Sequence, residues 1–168
     1  MNVAFRDATE ADLPAIDRLF RASFTETFGH LYRSEDLAAF LAQFTAEAWL
    51  YEHRNGHWFR LAELNGALVG FLKLGPLTLP VEPPGPALEL RQIYIAKDHQ
   101  GVGIAQSLME WALDEARRRG ANELYLTVYT DNPRAQRLYD RYGFEVVGPY
   151  AFMVGNQADE DIIMRKVL

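Results

Sequence analysis

Apolar positions recur along this chain at two spacings, helical in the first third and alternating in most of the remainder. After a short strand over residues 2–7, Leu13, Ile16, Leu19, Phe20, Phe24 and Phe28 recur at helical spacing. Thr9-Glu10-Ala11-Asp12 reads as a capping box in front of them, so a helix is predicted to run from there to about Thr27. Ser34 opens a second helical stretch, with Leu37, Phe40, Leu41 and Phe44 on one side. It continues or restarts near Thr45 and ends by Asn55-Gly56.

Strand patterns follow. Trp58–Glu63 and Leu68–Leu74 flank Asn65-Gly66, the dipeptide that best signals a tight hairpin. Pro76 to Pro86 holds five prolines and reads as a loop within one domain. Residues 87–96 form a strand rich in Leu and Ile. Gly103–Arg119 is an amphipathic helix with Ile104, Leu108, Trp111, Ala112 and Ala116 along one face. Glu123–Tyr129 is a strand, and Asn132-Pro133 starts a short helix that Gly143 ends. Strands over about 145–154 and 160–167 close the chain around Gly155-Asn156-Gln157. The order β-α-α-β-β-β-α-β-α-β-β describes a mixed α/β fold, read as a single domain over residues 1–168.

Composition narrows the function. The chain of 168 residues is 49% hydrophobic and 24% charged, as soluble globular domains are. No apolar run approaches the ~20 residues of a membrane-spanning helix. The N-terminal residues lack the basic-then-apolar order of a secretion signal, and cysteine is absent. A cytoplasmic protein without disulfides or thiol chemistry is expected. The net charge of −6 disfavours nucleic acid. Arg117-Arg118-Arg119, the sole basic run, sits where it complements a helix C-terminus. His30, His53, His57 and His99 form no metal spacing and read as loop or surface residues.

The strongest chemical signal is Gln100-Gly101-Val102-Gly103-Ile104-Ala105, between a strand and a helix. Small residues at 101, 103 and 105 let the backbone turn sharply and let a ligand approach it. The first-turn amides of the helix then offer a phosphate or pyrophosphate site. Packing alone also explains many such turns. A dinucleotide fingerprint fails at Gln106, where its last glycine belongs, and the Gly-Lys-Ser/Thr of a P-loop is missing.

Gln100-x-x-Gly103-x-Ala105 resembles the Gln/Arg-x-x-Gly-x-Gly/Ala signature of the GNAT superfamily of acetyl-CoA-dependent N-acyltransferases. Asn132-x-x-Ala135-x-x-x-Tyr139-x-x-x-Gly143-Phe144 resembles the family's second motif, one strand-helix unit later. More loosely, Leu88-Glu89-Leu90 with Ile93-Tyr94-Ile95, the Phe24–Phe28 segment, and Phe152-Met153 before Gly155 and Asp159 look like the bacterial PaiA-type spermidine/spermine acetyltransferases. The resemblance implies a mostly antiparallel central sheet with two splayed strands, flanked by helices.

It also implies roles. Backbone groups of Ile93, Tyr94 and Ile95 would pair with the pantetheine arm of acetyl-CoA, and amides of Gly101, Val102, Gly103, Ile104 and Ala105 would hold its pyrophosphate. Gln100 stands where many relatives carry Arg, so fewer side-chain charges would meet the pyrophosphate. Lys97, Arg137 and Arg141 are candidates for the 3′-phosphate, or solvated surface charges. Asn132 would cap its helix, bond the pantetheine, or do both beside Ala135. Tyr139 would protonate the departing thiolate, unless it is merely a core tyrosine. Glu89 would be the general base, or else an ion-pair partner of Arg91. Phe28, Tyr32, Tyr129 and Phe152 are candidates for the acceptor pocket or for packing.

The expected reaction is direct attack of a primary amine on acetyl-CoA in a ternary complex, without a metal. A polyamine or other small amine is the preferred acceptor, and a peptide or protein α-amine is the rival. A non-catalytic acyl-CoA sensor is the alternative of a different class. Neither nucleic acid nor membrane is an expected partner, and a homodimer is allowed.

Overall fold

The computed structural model describes residues 2–168. The strands are β1 (Val3–Asp7), β2 (Trp58–Leu64), β3 (Ala67–Pro76), β4 (Ala87–Ile95), β5 (Glu123–Tyr129), β6 (Glu145–Val154) and β7 (Gln157–Val167). The helices are α1 (Leu13–Phe28), α2 (Ser34–Leu41), α3 (Ala46–Arg54), α4 (Ile104–Arg118) and α5 (Pro133–Arg141). The strands form one sheet in the order β1-β2-β3-β4-β5-β7-β6. Among the described residues only β4 and β5 run parallel; the other neighbours are antiparallel.

Alternation along the strands decides which helices cover each face. Leu88, Leu90, Leu124, Leu126, Val128 and Met164 turn to one face, where they pack with Ile104, Leu108, Ala112 and Tyr139 of α4 and α5. Phe59, Leu61 and Phe71 turn to the other and meet Ile16, Phe20, Phe24, Phe40 and Trp49 of α1, α2 and α3. Burying each such large side chain stabilises the fold by about 1.5–3 kcal/mol. The aromatic cluster is dense: the Phe20 ring lies 4.5 Å from Phe44 and 5.2 Å from Tyr94.

Most predicted elements are present, with two differences, and the second helical stretch takes one of the two courses the sequence left open. The second helical stretch restarts: α2 ends at Leu41, and Thr45 caps α3, its hydroxyl accepting from Ala48 N at 3.1 Å. The last strand starts at Gln157, three residues earlier than the sequence pattern indicated. His57 is buried, not at the surface. Gly75 makes room for it, since a Cβ there would sit 2.6 Å from His57 Cδ2. At the Asn65-Gly66 hairpin both residues have positive φ, 53° and 79°, as a type I′ turn requires.

Candidate active site

β4 and β5 pair only from Ala87 to Glu89 against Glu123 to Tyr125. Beyond that point they diverge, and Arg91 is an extra residue where β4 bulges against β3, between the pairs Lys73↔Gln92 and Leu74↔Leu90. Ala96 N donates to Val69 O of β3 at 2.8 Å. By alternation the backbone of Tyr94 also faces β3, leaving that of Ile93 and Ile95 facing the gap. Of the three residues predicted to meet an extended ligand, Ile93 and Ile95 therefore present main-chain groups. Tyr94 presents its side chain to the face covered by α1.

A cavity of about 870 Å³ follows this gap. One end is the loop before α4. Gly101 and Gly103 there have φ of +80° and +91°, which side-chain-bearing residues rarely adopt. They aim the unpaired first-turn amides of α4 toward the cavity end, an arrangement suited to anions. Gln100, Gly101, Ile104 and Ala105 line the cavity, whereas Val102 is exposed.

The Gln100 side chain does not reach outward. Its Nε2 donates to Ile95 O at 3.1 Å, and its Oε1 accepts from Arg134 Nη1 at 2.9 Å. Arg134, in the first turn of α5, thus hangs beside the loop and lines the cavity. The sequence reading overlooked it, although its place two residues after the Asn132 cap was a usable signal. Among the predicted 3′-phosphate partners, Arg141 lines the cavity and Lys97 lines a separate pocket of about 140 Å³. Arg137 is not among the residues lining either pocket.

Asn132 caps α5, its Oδ1 accepting from Ala135 N at 3.3 Å, and both residues line the cavity. Tyr139, one turn beyond Ala135, is buried against Phe144, with ring centroids 5.9 Å apart. It also lines the cavity, and burial pushes its phenol well above the ordinary value. It therefore stays protonated at neutral pH and is able to give a proton. Its place at the gap joins the core and cavity roles.

Glu89 points to the face opposite Leu88 and Leu90. Its Oε1 accepts from Thr78 N at 2.9 Å and from Thr78 Oγ1 at 3.0 Å. Its Oε2 lies 3.4 Å from Arg91 Nε. The residue lines the cavity, yet it also pins the proline-rich loop to β4 and forms the ion pair that sequence offered as its other role. Farther toward β3, buried Lys73 pairs with Glu52 at 2.9 Å and lies 5.1 Å from the centre of the Trp49 ring.

The same cavity is lined by Phe28, Tyr32, Tyr129 and Phe152, the four predicted acceptor-side residues, and by Asp159 and Asp161 of β7. Both aspartates are buried, at 8% and 7% exposed. Tyr32 Oη donates a short hydrogen bond to Asp159. Asp161 sits opposite Tyr129 on β5 and Tyr150 on β6. Burial first, and then the Asp159 charge, raise the Asp161 carboxyl to about 7; a hydrogen bond with Thr127 opposes them. Asp161 escaped the sequence reading because Asp159-Glu160-Asp161 looks like a solvated run until its alternation is known.

Among the described residues no group of three or more His, Asp or Glu side chains is suited to a metal ion. Nor is any described helix long and apolar enough to cross a membrane.

Residues 13–144 match the model of the acetyltransferase (GNAT) family. The chain is 30% identical over 165 residues to an uncharacterized N-acetyltransferase of Lactobacillus delbrueckii subsp. lactis, covering 95% of this chain and 94% of that one. A ribosomal-protein-alanine N-acetyltransferase from Brucella melitensis superimposes with a TM-score of 0.75 at 28% identity, over 98% of this chain and 99% of the other. The PaiA N-acetyltransferase of Thermoplasma acidophilum, in complex with coenzyme A, shares the fold with a TM-score of 0.78 at 21% identity, over 100% of both chains. A diverging β4–β5 pair, a glycine loop before α4 and a tyrosine on α5 thus stand in a chain that belongs to the acetyltransferase (GNAT) family.

Proposed function

We propose that this acetyltransferase moves the acetyl group of acetyl-CoA directly to the primary amine of a small cationic acceptor, such as a polyamine. The observation that carries the reading is one continuous cavity lined both by the glycine-loop residues with Arg134 and by the buried acids Asp159 and Asp161. Tyr139 lines it as well. An anionic donor and a cationic acceptor are each met by the complementary charge.

In this reading the Gly101–Ala105 amides hold the pyrophosphate, and the pantetheine arm lies along Ile93 and Ile95 as an added strand. The thioester carbonyl then comes near Tyr139. The amine nitrogen attacks the carbonyl carbon, the C–N bond forms, and the C–S bond breaks with its electron pair on sulfur. Tyr139 protonates that sulfur. Holding both reactants in line supplies much of the acceleration, so no covalent acyl-enzyme is needed.

A peptide α-amine is the second reading, supported by the name of the Brucella melitensis neighbour. A thiol-release screen separates them. Turnover of spermidine and spermine, with little for alanine- or serine-starting peptides, is expected. Turnover of peptides alone overturns the polyamine assignment; tight acetyl-CoA binding with no turnover of any amine points to an acyl-CoA sensor.

A further inference from the structure

An amine that attacks a thioester must first lose a proton, and five acidic or imidazole groups line the cavity to receive it: Glu52, Glu89, His99, Asp159 and Asp161. Three carboxylates are already committed. Glu52 holds Lys73 through both oxygens, at 2.9 and 3.1 Å. Glu89 is held by Thr78 and Arg91, and Asp159 by the Tyr32 hydroxyl. His99 belongs to the turn that leads into the glycine loop, where the anionic donor is read to bind.

Asp161 is tied only by a hydrogen bond with Thr127. It is only 7% exposed and faces the cavity, and among the described residues no cation is paired with it. A carboxylate in such a place is costly unless a positive partner arrives. Its position also fits the chemistry. Asp161 and Tyr139 each act through their charge on the buried Tyr94 phenol. All three line the same cavity. An unsatisfied acceptor lines the same cavity: Gln92 Oε1 is buried without a hydrogen-bond partner.

We propose that Asp161 receives the proton of the attacking ammonium, with Gln92 Oε1 accepting a second N–H and Asp159, fixed by Tyr32, holding negative charge alongside. The proposal rests on the amine-acceptor reading above. One ammonium proton passes to the Asp161 carboxylate, freeing the lone pair that forms the C–N bond. The thiolate that leaves takes the Tyr139 proton. The nitrogen loses its second proton through solvent, the Tyr139 phenolate regains one, and Asp161 releases its own. One proton is released per acetyl group transferred, as conversion of an ammonium to an amide requires.

The titratable and polar groups around Asp161 are Asp159 on its own strand, Thr127 and Tyr129 on β5, Tyr150 on β6, Tyr94 on β4 and Tyr32 ahead of α2. None is a cation, and the hydrogen bond with Thr127 draws the carboxyl only part of the way back toward the ordinary aspartate range. A base whose carboxyl titrates near 7 is well matched to neutral pH.

The test compares wild type, Asp161→Asn and Glu89→Gln in the full chain. Carboxyl carbon-13 NMR of wild type, with the signal assigned by its loss in Asp161→Asn, needs no acceptor. A titration midpoint near 7 is expected, and one near the ordinary value of about 4 overturns the proposal. Profiles of kcat/KM against pH with acetyl-CoA and spermidine form the second arm. Asp161→Asn is expected to lose on the order of 100-fold at pH 7 and to lose the ionisation near neutrality, while Glu89→Gln keeps the wild-type profile. An Asp161→Asn profile parallel to wild type removes Asp161 from the chemistry. Should wild type ignore spermidine but acetylate a serine-starting peptide, the polyamine reading fails alone, and the same profiles with that peptide decide the role of Asp161.

Discussion

Gln100 holds Arg134 against the glycine loop: its amide oxygen accepts from Arg134 Nη1 at 2.9 Å while its amide nitrogen donates to Ile95 O at 3.1 Å. One neutral side chain thereby ties the end of β4 to the start of α5, across the two elements that diverge around the gap. The cation that sequence failed to find at position 100 is supplied from position 134.

Arg134→Ala should therefore raise KM for acetyl-CoA about 10-fold with kcat nearly unchanged, the scale of one solvent-accessible charge-assisted contact. Arg137→Ala should change little. Isothermal titration with coenzyme A and with dephospho-coenzyme A tells which phosphate is met. A penalty from Arg134→Ala that persists with dephospho-coenzyme A assigns Arg134 to the pyrophosphate. A penalty that disappears there assigns it to the 3′-phosphate.

Tyr139→Phe removes one hydroxyl from a side chain whose ring packs on Phe144. The fold and acetyl-CoA affinity should be retained, because the ring remains. Turnover should fall about 100-fold, the lower end of what a positioned acid contributes. Measured by thiol release beside a coenzyme A titration, an unchanged kcat would leave Tyr139 as a core residue only.

For Glu89 the expected result is structural. The amide of a Glu89→Gln variant retains an oxygen for Thr78 N but carries no charge beside Arg91. Thermal denaturation should show a loss of about 1 kcal/mol or less, since Arg91 keeps access to water. Increased proteolysis in the loop between β3 and β4 is expected to accompany it, because Thr78 in that loop is anchored through Glu89. Limited proteolysis that leaves this loop as resistant as in wild type would show that the anchor is dispensable.

The fold was largely legible because alternation and helical spacing report which positions are covered, and those patterns survive in a single sequence. The loop before α4 was legible for a different reason: Gly101 and Gly103 have to adopt positive φ, and only glycine does so cheaply. Arg134 and Asp161 were not legible, because each is defined by a partner distant in the chain. Which arginine of α5 meets Gln100 depends on how two helices splay. Whether Asp161 faces solvent or cavity depends on the strand beginning at Gln157 and pairing with Tyr129 and Tyr150. His57 was misread likewise, since its burial depends on Gly75 one strand pair away.

The buried Asp161 also predicts a cost in stability. Its carboxyl is raised to about 7 in the folded chain, whereas an unfolded aspartate titrates near 3.9. Between those values the folded state binds the proton more tightly, so stability contributed by the protonated form is full below about pH 4 and is lost as pH rises toward 7. Asp161→Asn, which mimics the neutral acid, should melt higher than wild type at pH 8, by a few kcal/mol at most. The advantage should shrink steadily on acidification and vanish near pH 4. Asp159→Asn should give a smaller gain, since it removes only the repulsion while Tyr32 loses an ionic acceptor. Denaturation curves at pH 4, 6 and 8 check the sign: an Asp161→Asn variant less stable than wild type at pH 8 would mean that the carboxylate is held by a favourable partner in the folded chain. A gain that grows with pH would instead tie the strain of an uncompensated acid to the place where a cationic acceptor is received.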